Sequence, residues 1–173
     1  MKGRIIFLDI DGVLNCRSSL TREHAKYKNS FILAVENCKV LSDFLELEEN
    51  KDIKIVISST WRYSNTPGKS NSNDVRYALA KYGYSNIANR IIGCTDTSFK
   101  YGPDLWSTRS DEILKWMWDN EFIGQFVILD DELCHLENLK EFVVKTNYHS
   151  TSICDGGLRE CHIELIEEIL EEQ

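Results

Sequence analysis

The chain has 173 residues, 42% apolar and 28% charged, with a formal net charge of −8; this suits one globular domain, 1–173, and leaves too little chain for two. No apolar run approaches the roughly 20 residues of a membrane span, and the run after "MKG" is too short for a signal-peptide core, so a soluble, cytoplasmic protein is expected. The acidic balance argues against wrapping of a long nucleic-acid tract, and six cysteines with no CxxC, beside four histidines at no metal-ligand spacing, argue for reduced thiols and against a zinc site.

In chain order, "RIIFLDI" opens the pattern as a strand apolar enough to be covered on both faces. A polar, basic stretch follows at 15–30, expected to be a flap loop, with Cys16, Arg17, Arg22, Lys26 and Lys28. Three-and-four spacing of Phe31, Val35, Cys38, Leu41, Phe44 and Leu45 predicts a helix from Phe31 to Glu49. "IKIVIS" is the second strand, 63–74 a turn-rich loop, and Val75, Ala78, Leu79 and Tyr82 mark the second helix. "RIIGC" is the third strand and 96–108 reads as another long loop. Ile113, Trp116 and Met117 mark a helix before the strands "QFVILD" and "FVVKT". Leu158, Cys161, Leu165 and Ile169 form the last stripe, whose acidic partners from Glu160 to Glu172 read as a solvated face. Strands alternating with helices predict an α/β fold with a parallel sheet.

Such a sheet aligns the strand C-termini on one edge, where open α/β folds place ligands. Four polar clusters stand there: Asp9/Asp11 after "IIFL", Ser58/Ser59/Thr60 after "KIVI", Arg109 before "SDEILKW", and Asp130/Asp131 at the end of "FVILD" and just past it. Converging carboxylates of Asp9, Asp11 and Asp130 would repel one another in a partly desolvated site. Mg²⁺ removes that conflict, because it takes one or two carboxylates together with a substrate phosphate. Ser58 and Ser59 offer hydroxyl and N–H donors, and "TRSD" has the form of a capping sequence that would set Arg109 in a first helical turn. Cation, dication and oriented donors around an anion are what phosphoryl transfer needs. The DxD has no D-x-D-x-D-G continuation ending in Glu, so a calcium-binding EF-hand is excluded.

The order "DIDGVLN", "VISSTWR", a cation before a helix, then "VILDD" resembles the haloacid dehalogenase (HAD) superfamily of phosphohydrolases, from residue 4 to about residue 170. The "SSTWR" ending and Gly157-Leu158 before the last helix resemble most the HAD-type domains of Swiss Army Knife RNA repair proteins and polynucleotide phosphatases. The resemblance implies a three-layer α/β/α, Rossmann-like core with a mainly parallel sheet in strand order 5-4-1-2-3. It implies Asp9 as nucleophile forming an aspartyl-phosphate, Asp11 as general acid and then base, and Ser58 on the transferring phosphoryl group. Arg109 stands where the superfamily has a lysine or arginine, with Lys100 and Lys115 as competitors for that role. Asp9, Asp130 and Asp131, with the backbone carbonyl of Asp11, form the implied Mg²⁺ set. Gly12 supplies backbone freedom where the strand breaks.

The insertion points after the first and third strands are short, so the site is expected to be capless or nearly so and to admit a bulky phosphoester, such as a nucleic-acid 3′-phosphate end. Ser59, Thr60, Arg62, Lys100, Lys69 and the basic flap would line its path, and Tyr27, Trp61, Tyr63 or Trp106 would stack on bases or pack as core. Small-molecule phosphatase, phosphoprotein phosphatase and, in another class, a non-catalytic phosphate-recognition module are the alternatives.

Overall fold

The computed structural model describes residues 1–19, 33–62, 73–96, 100–102, 105–150 and 155–173, with 100–102 and 105–106 described by their backbone. Its strands are β1 (Arg4–Leu8), β2 (Lys54–Ile57), β3 (Ile91–Cys94), β4 (Lys100–Gly102), β5 (Leu105–Trp106), β6 (Gln125–Asp130) and β7 (Val143–Lys145). Its α-helices are α1 (Val35–Glu46), α2 (Asn73–Lys81), α3 (Ser85–Arg90), α4 (Arg109–Asp119) and α5 (Ile163–Glu171).

The five apolar runs form one sheet in the order β3-β2-β1-β6-β7, with every pairing parallel. Numbered within the sheet, this is the expected 5-4-1-2-3 order read from its other edge. Alternation along each strand sends Ile6, Leu8, Ile55, Ile57, Val127 and Leu129 into a core shared with α1, α2, α3 and α5. Ile5, Phe7, Val56, Phe126 and Ile128 fill the opposite face, under Ile113 of α4 and under Leu136 and Leu139. Both faces are covered, hence the uninterrupted apolar runs and the three layers. Phe7 meets the rings of Trp116 and Phe126 edge-on, at 5.6 Å and 5.9 Å.

Four local expectations are corrected. The stretch 96–108 holds the antiparallel pair β4–β5, whose strands are too short to show a period. α3, six residues long, lies between the second helix and third strand and is likewise below the length at which periodicity speaks. The first helix ends at Glu46, because Leu47 turns to an extended ψ of 141°, and Val35 at its start is exposed; Phe31 lies outside the described residues. The last helix is rotated from the expected stripe: Ile166 and Leu170 are buried, while Leu165 is 45% exposed and Cys161 is exposed. The apolar residues of "IELIEEIL" are all aliphatic and fall on two overlapping stripes, and docking on the sheet selects one.

The start of β6 extends past its pairing with β7, which begins at Ile128. Gln173 covers that exposed edge: its Oε1 accepts from Phe126 N–H at 3.1 Å and its Nε2 donates to Phe126 O at 2.6 Å. A side-chain amide thus imitates a neighbouring strand. At the same end of the sheet, the Met1 amine donates to Glu121 O at 2.6 Å. No helix among the described residues is long and apolar enough to cross a membrane.

The two stripes of α5 give a direct test. Ile166→Ala should cost about 2–5 kcal/mol in urea unfolding, whereas Leu165→Ala should change stability by less than about 0.5 kcal/mol.

Candidate active site

The sheet register builds the site. Past the last paired residues the ladder runs one step further: Asp9 N–H donates to Leu129 O (3.0 Å), Ser58 N–H to Leu8 O (2.9 Å) and Thr95 N–H to Ile57 O (2.9 Å). On the other side of β1, Thr146 N–H donates to Asp130 O at 2.9 Å. Asp130, Asp9, Ser58 and Thr95 therefore stand in a row across the C-terminal edge of four adjacent strands, and all four are buried.

Asp9, Asp130 and Asp131 each bring a carboxylate oxygen within 4.8 Å of the others. Arg109 Nη1 reaches into this cluster, donating to Asp9 Oδ2 at 2.9 Å and also to Asp130 Oδ2. The remaining oxygens of the two aspartates accept backbone N–H groups, from Ile10 to Asp9 Oδ1 (2.7 Å) and from Glu132 to Asp130 Oδ1 (2.9 Å). Burial pushes the Asp130 carboxyl above its ordinary range; Arg109 pulls against this and Asp9 adds to it. Asp131 is pushed up to about 6, first by burial and then by the charges of Asp9 and Asp130. Burial works against the Arg109 charge, but Asp9 and Asp130 more than offset it and the guanidinium is held firmly protonated. Three carboxylates facing one guanidinium leave a deficit of positive charge that a hard, oxygen-seeking dication fits.

Arg109 owes its place to the cap predicted from "TRSD". The Thr108 hydroxyl accepts from Asp111 N–H (3.3 Å), and Asp111 Oδ2 accepts from Thr108 N–H (2.7 Å). Ser110 pins the same turn to the loop after β6 through its N–H and hydroxyl, both donated to His135 O, at 2.9 Å and 2.7 Å. Asp131 owes its place to Gly12, which has φ +83°, and a Cβ there would lie 2.4 Å from Asp131 Cγ. The buried Thr146 hydroxyl fixes this glycine by donating to its carbonyl at 2.6 Å.

Asp11 sits apart from the carboxylate cluster. Its Oδ1 accepts from Asn15 Nδ2 at 2.8 Å and its Oδ2 from Trp61 Nε1 at 2.9 Å. Its side chain is thus held from two sides, by Asn15 of its own loop and by Trp61 of the turn after β2. Ser58 is fully buried, and its Oγ has no hydrogen-bond partner among the described residues; the same holds for Thr95 Oγ1. A buried hydroxyl at this edge of the sheet thus keeps a proton to donate to an acceptor. Ser59 is buried in the following turn and Thr60 is exposed at its start.

Arg62 is a correction. It is 2% exposed, donates Nη1 to Ser59 O at 2.6 Å, and pairs through Nη2 with the buried Glu112 of α4. It braces the serine turn from inside, so among the described residues Arg62 does not line an open path. Trp61 is half-buried, packed on the main core with its indole N–H on Asp11, which removes it as an open stacking platform. Lys115 pairs with Asp119 along α4, leaving Arg109 as the cation that reaches the carboxylates among the described side chains. Arg17 is exposed. Arg22, Lys26, Lys28, Lys69, Tyr27, Tyr63 and the side chains of Lys100 and Trp106 lie outside the described residues. Cys16 is buried, and although burial raises its thiol, hydrogen bonds from Ser18 and Ser19 outweigh this and lower it.

Asn15, Glu112, Thr95 and Thr146 are site residues that the sequence reading passed over. Asn15 alone had a local signal, standing four residues after Asp11 at the end of "DIDGVLN".

A parallel α/β sheet with paired aspartates past its first strand, a serine past its second, an arginine in the first turn of a capped helix and a further acidic pair defines a HAD-type domain. The family profile described as the HAD domain in Swiss Army Knife RNA repair proteins matches residues 5–151. The chain belongs to that family. Among solved structures, it is similar to the HAD domain of effector protein Lem4 from Legionella pneumophila, with a TM-score of 0.52 and 17% identity over 98% of this chain and 94% of that one. At that identity the likeness is one of fold. No curated protein sequence matches.

Two outcomes test the electrostatics. Burial, with the charges of Asp9 and Asp130, pushes the Asp131 carboxyl up from its ordinary 3.8 to about 6. The folded state therefore binds more protons than the unfolded one between these values, and this group's contribution to stability falls as pH rises through that window. Asp131→Asn should raise the Tm of the metal-free protein near neutral pH and lose that advantage at about pH 4, as read by thermal unfolding across pH. Glu112→Ala, which strands the Arg62 charge, should cost about 3–5 kcal/mol in urea unfolding.

Proposed function

We propose that the protein is a Mg²⁺-dependent phosphomonoesterase working through an aspartyl-phosphate on Asp9. The observation that carries this reading is the buried Asp9 carboxylate, held by Arg109 within the Asp130/Asp131 cluster and beside the orphaned Ser58 hydroxyl. Mg²⁺ held by Asp9, Asp130, Asp131 and the Asp11 carbonyl would supply counter-charge for the phosphoryl oxygens.

Each protein group then has a definite task. Arg109 and Ser58 orient the phosphoryl group by charge-assisted and neutral hydrogen bonds. An Asp9 carboxylate oxygen attacks phosphorus as the bond to the leaving oxygen breaks, and protonated Asp11 delivers its proton to that oxygen. Water then attacks the phosphorus, gives its proton to Asp11, and displaces Asp9 as free carboxylate, restoring the starting state. Burial of Asp9 and Ser58 keeps competing water away and strengthens these contacts.

A nucleic-acid 3′-phosphate end is the substrate we favour. The family description names RNA repair proteins. The 95–108 segment between β3 and α4, with only the β4–β5 ribbon described in it, is too short for a separate cap domain, which leaves room for a large ester.

With Mg²⁺ present, the protein should release phosphate from a generic aryl phosphate, and Asp9→Asn should abolish this. Mg²⁺ should raise Tm at about pH 7.5, and the gain should fade below about pH 6 as protons compete for the carboxylates. A panel of 3′- and 5′-phosphorylated oligonucleotides, mononucleotides, sugar phosphates and phosphopeptides should give the highest kcat/KM on 3′-phosphorylated ends. Equal or better rates on the small phosphates would overturn the nucleic-acid assignment, and absence of turnover on every ester with Mg²⁺ bound would overturn the enzyme.

A further inference from the structure

We infer that Trp61 is a positioning residue whose indole N–H fixes the Asp11 carboxyl, so that the turn after β2 aligns the proton-transfer group of the loop after β1. The inference rests on the phosphomonoesterase reading for its catalytic consequence, and on geometry alone for the contact itself.

Asp11 follows the strand break and lies on a loop whose own restraint comes from Asn15: its Nδ2 donates to Asp11 Oδ1 at 2.8 Å, and its Oδ1 accepts Gly12 N–H at 3.2 Å. Both contacts are local, so they fix the carboxyl relative to its loop and not relative to the phosphate-binding serine. Trp61 Nε1, 2.9 Å from Asp11 Oδ2, ties it to a segment fifty positions away.

That segment is braced. Trp61 sits in the one-turn 3₁₀ helix Thr60–Arg62, directly after Ser58 and Ser59. Its ring packs on the main core, Arg62 N–H closes the turn onto Ser59 O at 3.1 Å, and the Arg62 guanidinium bonds the same carbonyl. Arg62 then pairs with Glu112, one helical turn from Arg109 on α4. Asp11, Ser58 and Arg109 are thereby referred to one rigid three-residue turn. The tryptophan has two separable properties: a ring that fills space and an N–H that makes one directed bond. Core packing or base stacking needs the ring alone.

Trp61→Phe separates them, since phenylalanine keeps an aromatic ring and removes the donor. With an aryl phosphate and Mg²⁺, this variant should lose about ten- to a hundredfold in kcat, the size of effect that misplacing a reacting group produces, with KM and product inhibition by inorganic phosphate changed less than about twofold. A kcat within about twofold of wild type would reduce Trp61 to packing and overturn its catalytic role. A second readout needs no turnover. In ¹⁵N-labelled protein, Trp61→Phe identifies the Trp61 indole signal among those of the four tryptophans. Asp11→Ala should move that signal upfield and leave those of Trp116 and Trp118 in place. An indole signal that ignores Asp11→Ala would overturn the positioning. Absence of turnover in the wild-type protein would instead overturn the phosphatase reading, together with the catalytic consequence drawn from it.

Discussion

The guanidinium of Arg109, bonded to Asp9 and Asp130 at once, answers the problem that the sheet creates at its own edge. Parallel register brings carboxylates on neighbouring strands within 4.8 Å of one another, a repulsion on the order of 3.5 kcal/mol per charged pair at an effective dielectric constant near 20. The fold cannot relieve it by turning a side chain away without losing the register that buries Ile6, Phe7 and Leu8. Positive charge must therefore come from outside the sheet, at a fixed height above it. The capping box at Thr108 and the Ser110 contacts to His135 serve that requirement, because they set where α4 begins and so where its first side chain points.

The same edge costs stability. Ser58 and Thr95 bury hydroxyls without partners among the described residues, each typically worth about 1–3 kcal/mol of lost solvation. Asp131 is pushed toward protonation first by burial and then by neighbours of its own sign. None of this helps the folded chain by itself. It is tolerated because two apolar layers, one on each face of the sheet, are continuous beneath it. Such a concentration of unmet polar demand at one edge of a well-packed core marks where a ligand is expected to supply what the chain does not.

Sequence reading reached the sheet and its edge because both depend on near-neighbour patterns. "IIFLDID", "VISST" and "VILDD" each join a buried strand to the polar group at its tip, and "TRSD" encodes a cap within four residues. It failed where partner choice is tertiary. Arg62 reads as a surface cation until Glu112, fifty positions on, is brought against it. Trp61 reads as core or stacking surface, since nothing local shows where an indole N–H will point. The face of α5 was ambiguous for a different reason: Leu165 and Ile166 are chemically interchangeable as core residues, and only the docking angle separates them.

Both described chain ends lie at the sheet edge away from the row of Asp130, Asp9 and Ser58. Met1 bonds the turn before β6, and Gln173 mimics a strand beside Phe126. Four positions of extended strand, about 13 Å, separate Phe126 from Asp130 along β6. A tether, fluorophore or surface linkage at either described end would therefore hold the molecule by its base with the row of Asp130, Asp9 and Ser58 facing outward. The exception is chemical: any extension after Gln173 that displaced its amide would bare the rim of β6 and invite edge-to-edge association.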